Sequence, residues 1–143
     1  MSWGSDLKAK NTTMFEYARR EDPPGLDAAL QQGTIWYDCL YYFAQTEFSQ
    51  ENMDFLRRLE AFKGSPSNAS GKELYKWSGD NMNLSGAVMR DLGESFGDDA
   101  DADAAVDGTE FDTARGEAYT NLTDTYSRFT RAVAALQEEF PAE

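Results

Sequence analysis

Glu47-Phe48-Ser49-Gln50-Glu51-Asn52, followed by Phe55, Leu56, Leu59 and Phe62, is the stretch from which the rest of the chain can be read. It has the chemistry of a helix start. Ser49 is placed to accept from the free amides of a first turn, and Phe48 ahead of it to staple onto Met53. Beyond that point the apolar residues recur three and four apart, which buries one face of a helix and leaves its polar start at the surface. Taken alone, Ser49 to Asn52 is a cap with solvated polar neighbours.

Upstream, Thr34 caps a predicted helix in which Trp36, Leu40 and Phe43 form an apolar stripe reaching Glu47. A helix over Leu26 to Gln32 precedes it, stopped by Gly33. Before that, Pro23-Pro24-Gly25 ends a short segment, Met14 to Arg20, that Thr12 or Thr13 begins. Downstream, Gly64 to Gly71 is rich in turn formers and is expected as an exposed loop, with a short helix over Lys72 to Trp77 after it. Ser85 then caps a helix carrying Met89, Leu92 and Phe96 on one side, and Gly97 ends it. Phe111, Ala114, Ala118 and Leu122 make a further stripe, and Asp124 or Thr125 caps a last helix bearing Phe129, Val133, Leu136 and Phe140. No stretch alternates with the period of a strand, so the prediction is an all-α bundle of about eight short helices.

Composition bounds what such a bundle does. The chain has 143 residues, which suits a single domain over 1-143 with one core. Its 26 acids against 13 bases leave a net charge of -13, which repels phosphate backbones and anionic membranes. Nucleic acid is excluded as a partner, and a basic protein surface or a cation is favoured. With no histidine, neither a Ser-His-Asp nor a Cys-His nucleophile can be assembled, and histidine-ligated zinc is excluded. The single cysteine, Cys39, sits among Trp36, Leu40 and Phe43 and is expected to be a buried, inert thiol. No run is long enough to span a bilayer and no secretion signal is seen, so a cytoplasmic monomer is expected, with the sequons at Asn11, Asn68 and Asn121 as chance matches.

The motifs also stand in a familiar order. Leu40 and Phe43 lie ahead of the E-F-S-x-E-N-x-x-F run that begins at Glu47. Leu74-Tyr75 is similar to an I-Y pair and Asn83-Leu84 to a V-N-L/I-D segment. Phe111-Asp112-Thr113-Ala114-Arg115 is similar to F-D-x-A-Q, and Asp124-Thr125-Tyr126-Ser127-Arg128-Phe129 to D-S-Y-x-R-F. Over roughly 26-140 the chain thus resembles the regulator of G-protein signalling (RGS) domain. The pattern departs from it at Leu56, where the family has Trp, and at Ser85, where it has Asp. The Phe111 to Tyr126 segment is also one residue short, which turns a helix by about 100°.

The resemblance implies a domain that binds the α subunit of a heterotrimeric G protein and accelerates its GTP hydrolysis. Such a domain is not itself an enzyme: it steadies the subunit's switch segments in their transition-state arrangement and supplies no acid, base or arginine. By matching positions, the partner-binding residues would be Ser49, Glu51, Asn52, Asn83, Asp124, Thr125 and Arg128. Asn83 would stand near the glutamine that orients the attacking water, where an amide can donate and accept without changing charge. A non-catalytic RGS-like interaction module is the alternative.

One stretch lies outside the resemblance. Across 99-110, carboxylates fall at loop positions one, three, five, nine and twelve (Asp99, Asp101, Asp103, Asp107 and Glu110). The backbone carbonyl of Ala105 falls at position seven and the aliphatic Val106 at eight. This is the spacing of an EF-hand calcium loop, in which alternating carboxylates wrap a hard cation and the last binds through both oxygens. A calcium-binding protein built on this frame is thus a second alternative. Position six, which should be Gly, is Ala104, where a left-handed backbone costs roughly 1 to 2 kcal/mol.

Overall fold

A computed structural model describes residues 2–142, and every regular element among them is a helix. In chain order these are α1 (Trp3–Lys10), α2 (Thr12–Arg20), α3 (Leu26–Ala29), α4 (Ile35–Thr46), α5 (Glu51–Gly64), α6 (Asn68–Asn81), α7 (Gly86–Phe96) and α8 (Asp112–Glu139). The all-α expectation holds. The helices pack as two compact units, one running up to Gln50 and resuming at Thr123, the other Glu51–Leu122.

In the first unit, Ser2, Asn11 and Thr34 cap α1, α2 and α4, each accepting from a backbone amide three residues on. Each bond satisfies a donor that the helix itself leaves free. Phe129 of α8 is the centre of the core, with the rings of Trp3, Trp36 and Phe43 edge-on at 5.9, 6.0 and 5.6 Å. Leu7, Phe15, Leu40, Val133 and Leu136 complete it. α1 was not foreseen, because Leu7 is the only large apolar side chain it buries. It docks through Leu7, the Trp3 ring and Gly4, where an added Cβ would come within 3.1 Å of Leu136 Cγ. Gln137 Nε2 donates to the carbonyls of Ala18 and Glu21, both at 3.0 Å, and so closes the end of α2.

In the second unit, α5 contributes Phe55, Leu59 and Phe62, α6 Leu74, and α7 Val88, Leu92 and Phe96. Phe111, Ala114 and Ala118 at the head of α8 complete this core. The rings of Phe62, Phe96 and Phe111 lie 5.2 to 6.2 Å apart. α6 begins inside the stretch expected as a loop. Ser67 and Ser70 form a reciprocal capping box there, and Gly71 is buried where an added Cβ would collide with the Phe96 ring. A glycine that looks like loop punctuation is here a contact point between helices.

The largest correction concerns α8. Two helices were expected, with a cap at Asp124 or Thr125, but Asp112–Glu139 is one helix of 28 residues. Its buried residues, counted from Phe111 just before it, are 111, 114, 118, 122, 125, 129, 133 and 136. Their 3-4-4 spacing repeats every eleven residues, within about 20° of three full turns, so a straight helix keeps them on one face. Thr125 belongs to that buried stripe and is 2% exposed.

Candidate functional site

α4 ends at Thr46, and the residues after it wind the helix off. The Phe48 amide donates to the Gln45 carbonyl at 3.1 Å and the Ser49 amide to the Ala44 carbonyl at 2.8 Å. These are the paired bonds of a Schellman closure, which requires a left-handed residue where glycine usually stands. Here that residue is Phe48, with φ 57°, the only non-glycine at positive φ among the described residues. The conformation costs roughly 1 to 2 kcal/mol for an L side chain. No packing offsets it, because Phe48 is 87% exposed. Exposed to this degree, Phe48 is not the covered ring that a staple calls for. Ser49, read from sequence as the start of the next helix, donates its hydroxyl to the Ala44 carbonyl at 3.3 Å and so helps to close α4.

Beside Phe48, Glu47 holds Arg128. The guanidinium Nε lies 3.1 and 3.0 Å from the two Glu47 oxygens. The Glu47 hydrogen bond holds the Arg128 pKa above its already high value, with the charges of Glu47 and Asp124 adding to it. Arg128 Nη2 also lies 3.5 Å from Thr125 Oγ1. Within the first unit, then, Glu47, Phe48, Ser49, Thr125 and Arg128 are neighbours, and Asp124 is exposed one turn before Arg128 on α8.

In the second unit, Glu51 is half-buried in the first turn of α5. Asn52 is 5% exposed, with Asn121 Nδ2 at 3.5 Å from its Oδ1. Asn83 is exposed on the link between α6 and α7, while Met82 and Leu84 on either side of it pack against the core. Of the seven sequence-derived positions, Asn52 and Thr125 are buried, whereas Asn83, Asp124 and Arg128 face solvent.

The acidic loop uses its carboxylates on itself. Glu110 accepts from the amides of Asp107 and Gly108 at 3.1 and 3.0 Å, one on each oxygen. Asp107 accepts from the hydroxyl and amide of Thr109 at 2.7 and 2.9 Å, and the hydroxyl bond first, then the amide, holds its carboxyl below the usual 3.8. Asp101 accepts from the amide of Asp103 at 2.9 Å, and Asn68 Nδ2 donates to the Ala104 carbonyl at 2.9 Å. Ala104 does not make the left-handed turn of a calcium loop, and the positive φ, 99°, falls at Gly108. Val106 packs against the second core. Among the described residues no three His, Cys, Asp or Glu side chains converge to hold a metal ion. Of the positions the sequence offered to a cation, Asp99, Asp101, Asp103, Asp107, Glu110 and the Ala105 carbonyl, Asp101, Asp107 and Glu110 already accept from backbone amides of the loop itself.

Cys39 is buried as expected, and desolvation first, with the neighbouring Asp38 charge second, pushes its thiol up to about 12. A thiol held protonated in this way is not a nucleophile. Among the described residues no helix is long and apolar enough to cross a membrane. The sequence gives Phe48 a different role, because an aromatic before a Ser-led apolar run signals a staple, and it offers no sign of Glu117, which accepts from the amide of Ser85 at 2.9 Å, because its partner is 32 residues away. A scan against protein-family models, a search of curated proteins and a search of solved structures each returned no match.

Proposed function

We propose that the chain is an RGS-like regulator that binds the GTP-loaded α subunit of a heterotrimeric G protein and accelerates its GTP hydrolysis. The observation that carries this reading is Phe48: a left-handed aromatic, 87% exposed, in the middle of the E-F-S run. Strain that the fold does not need is a pointer to binding, and a rigid aromatic set outside a helix end suits a pocket on a partner. Arg128 is held in place beside it by Glu47, within the first unit. The exposed amide of Asn83 is presented by the second unit, with a donor and an acceptor for the partner's glutamine and attacking water. Catalysis by such a protein is positional. It lowers the barrier by fixing groups that belong to the α subunit, so it needs no acid, base or cofactor of its own.

The non-catalytic interaction module is the second reading, favoured by the burial of Asn52 and Thr125, which removes two matched positions from direct contact. Single-turnover GTP hydrolysis by a panel of α subunits separates the two. Acceleration that Asn83→Ala abolishes supports the activator. Binding without acceleration, with Asn83→Ala neutral, leaves the module.

A further inference from the structure

We propose that Glu117 is a positioning residue for Asn83, an inference that rests on the activator reading above. Residues 82–85 link α6 to α7, and the backbone is extended at both ends of the link, with ψ 154° at Met82 and 153° at Ser85. Successive side chains of an extended backbone point to opposite sides. Met82 and Leu84 accordingly pack against the second core, while Asn83 and Ser85 are exposed.

The two apolar anchors fix the direction in which Asn83 points. They do not fix how far the link stands off the helices, because dispersion contacts are non-directional and extended backbone makes no hydrogen bonds of its own. Glu117 supplies that constraint. From the second turn of α8 its Oε1 accepts from the Ser85 amide at 2.9 Å, a charge-assisted bond two residues from Asn83. Ser85 is also the cap of α7, its hydroxyl accepting from the Val88 amide at 3.3 Å. One residue is thereby tied both to α7 and to α8, and Asn83 is carried by a link pinned at both ends. Glu117 acts through Ser85 and need not touch the partner.

The test compares wild type, Glu117→Ala, Glu117→Gln, Asn83→Ala and the Glu117→Ala/Asn83→Ala double variant in two readouts: hydrogen exchange of the Ser85 amide by NMR, and single-turnover GTP hydrolysis by an α subunit. Glu117→Ala should speed Ser85 exchange at least about fivefold, the loss of one hydrogen bond, and lower the GTPase acceleration by a similar factor. Glu117→Gln retains an acceptor oxygen and should restore both to within about twofold. In the Asn83→Ala background, where no acceleration remains, Glu117→Ala should still speed Ser85 exchange by the same factor, because its bond is to Ser85 and not to Asn83. Unchanged Ser85 exchange in Glu117→Ala overturns the proposal, as does wild-type acceleration in a Glu117→Ala variant whose Ser85 exchange has quickened, or a Glu117→Gln variant that restores Ser85 exchange but not acceleration. If wild type accelerates no α subunit, the activator reading falls and takes the role of Glu117 in it along, even where Ser85 exchange responds as expected.

Discussion

Phe48 separates stability from function within a single side chain. Its left-handed backbone carries roughly 1 to 2 kcal/mol that glycine would not, and its ring touches almost nothing in its own fold. Phe48→Gly should therefore raise stability by about 1 kcal/mol, read as a higher denaturant midpoint at unchanged slope, while weakening partner binding by at least about tenfold. A variant that loses stability would show that the ring packs where it is described as exposed. The E-F-S run was legible as a special place in the sequence, but its role was misread at Ser49. A serine between two apolar stripes signals a cap for the helix that follows, and its use in closing the helix behind it depends on a left-handed neighbour that residue types do not announce.

Elements were legible wherever periodicity and caps agreed. Thr34 and Ser85 cap α4 and α7 as expected, and Phe55, Leu59 and Phe62 are buried. Elements were misjudged where a residue type carries two meanings. Asp124-Thr125 has the composition of a cap, yet Thr125 continues a stripe that is buried from Phe111 to Leu136. This makes a sharp test. Thr125→Asp would be neutral at a cap, because the two residues cap comparably well, but in a buried stripe it should cost about 3 kcal/mol or more in thermal or chemical unfolding. Glycines carry the same ambiguity. Gly71→Ala should destabilise by about 1 to 3 kcal/mol, since the new methyl meets the Phe96 ring. Gly116→Ala, in mid-helix with nothing within 4 Å of an added Cβ, should stabilise by about 0.5 to 1 kcal/mol. The order of those two melting temperatures checks which glycine is packed.

For the whole molecule, a net charge of -13 favours a partner with a basic surface and makes association faster at low salt than at high. The acidic loop contributes to that charge, and its own chemistry is testable apart from the partner. Glu110→Gln replaces a carboxylate that accepts from two amides, so without metal it should lower stability by about 1 kcal/mol. Any rise in melting temperature with calcium must vanish in the same variant, because coordination needs those two oxygens. The calcium spacing was visible in sequence, but the way the loop satisfies itself was not, since that depends on backbone turns at Asp107 and Gly108. The central claim is that the protein recognises an α subunit in its transition-state arrangement, and calorimetric titration tests it most directly. Binding should be at least about tenfold tighter to the α subunit loaded with GDP and tetrafluoroaluminate, a mimic of the transferring phosphoryl group, than to the GDP form, and Phe48→Gly should remove most of that affinity. Equal affinity for the two forms, or binding to neither across the panel, would contradict it.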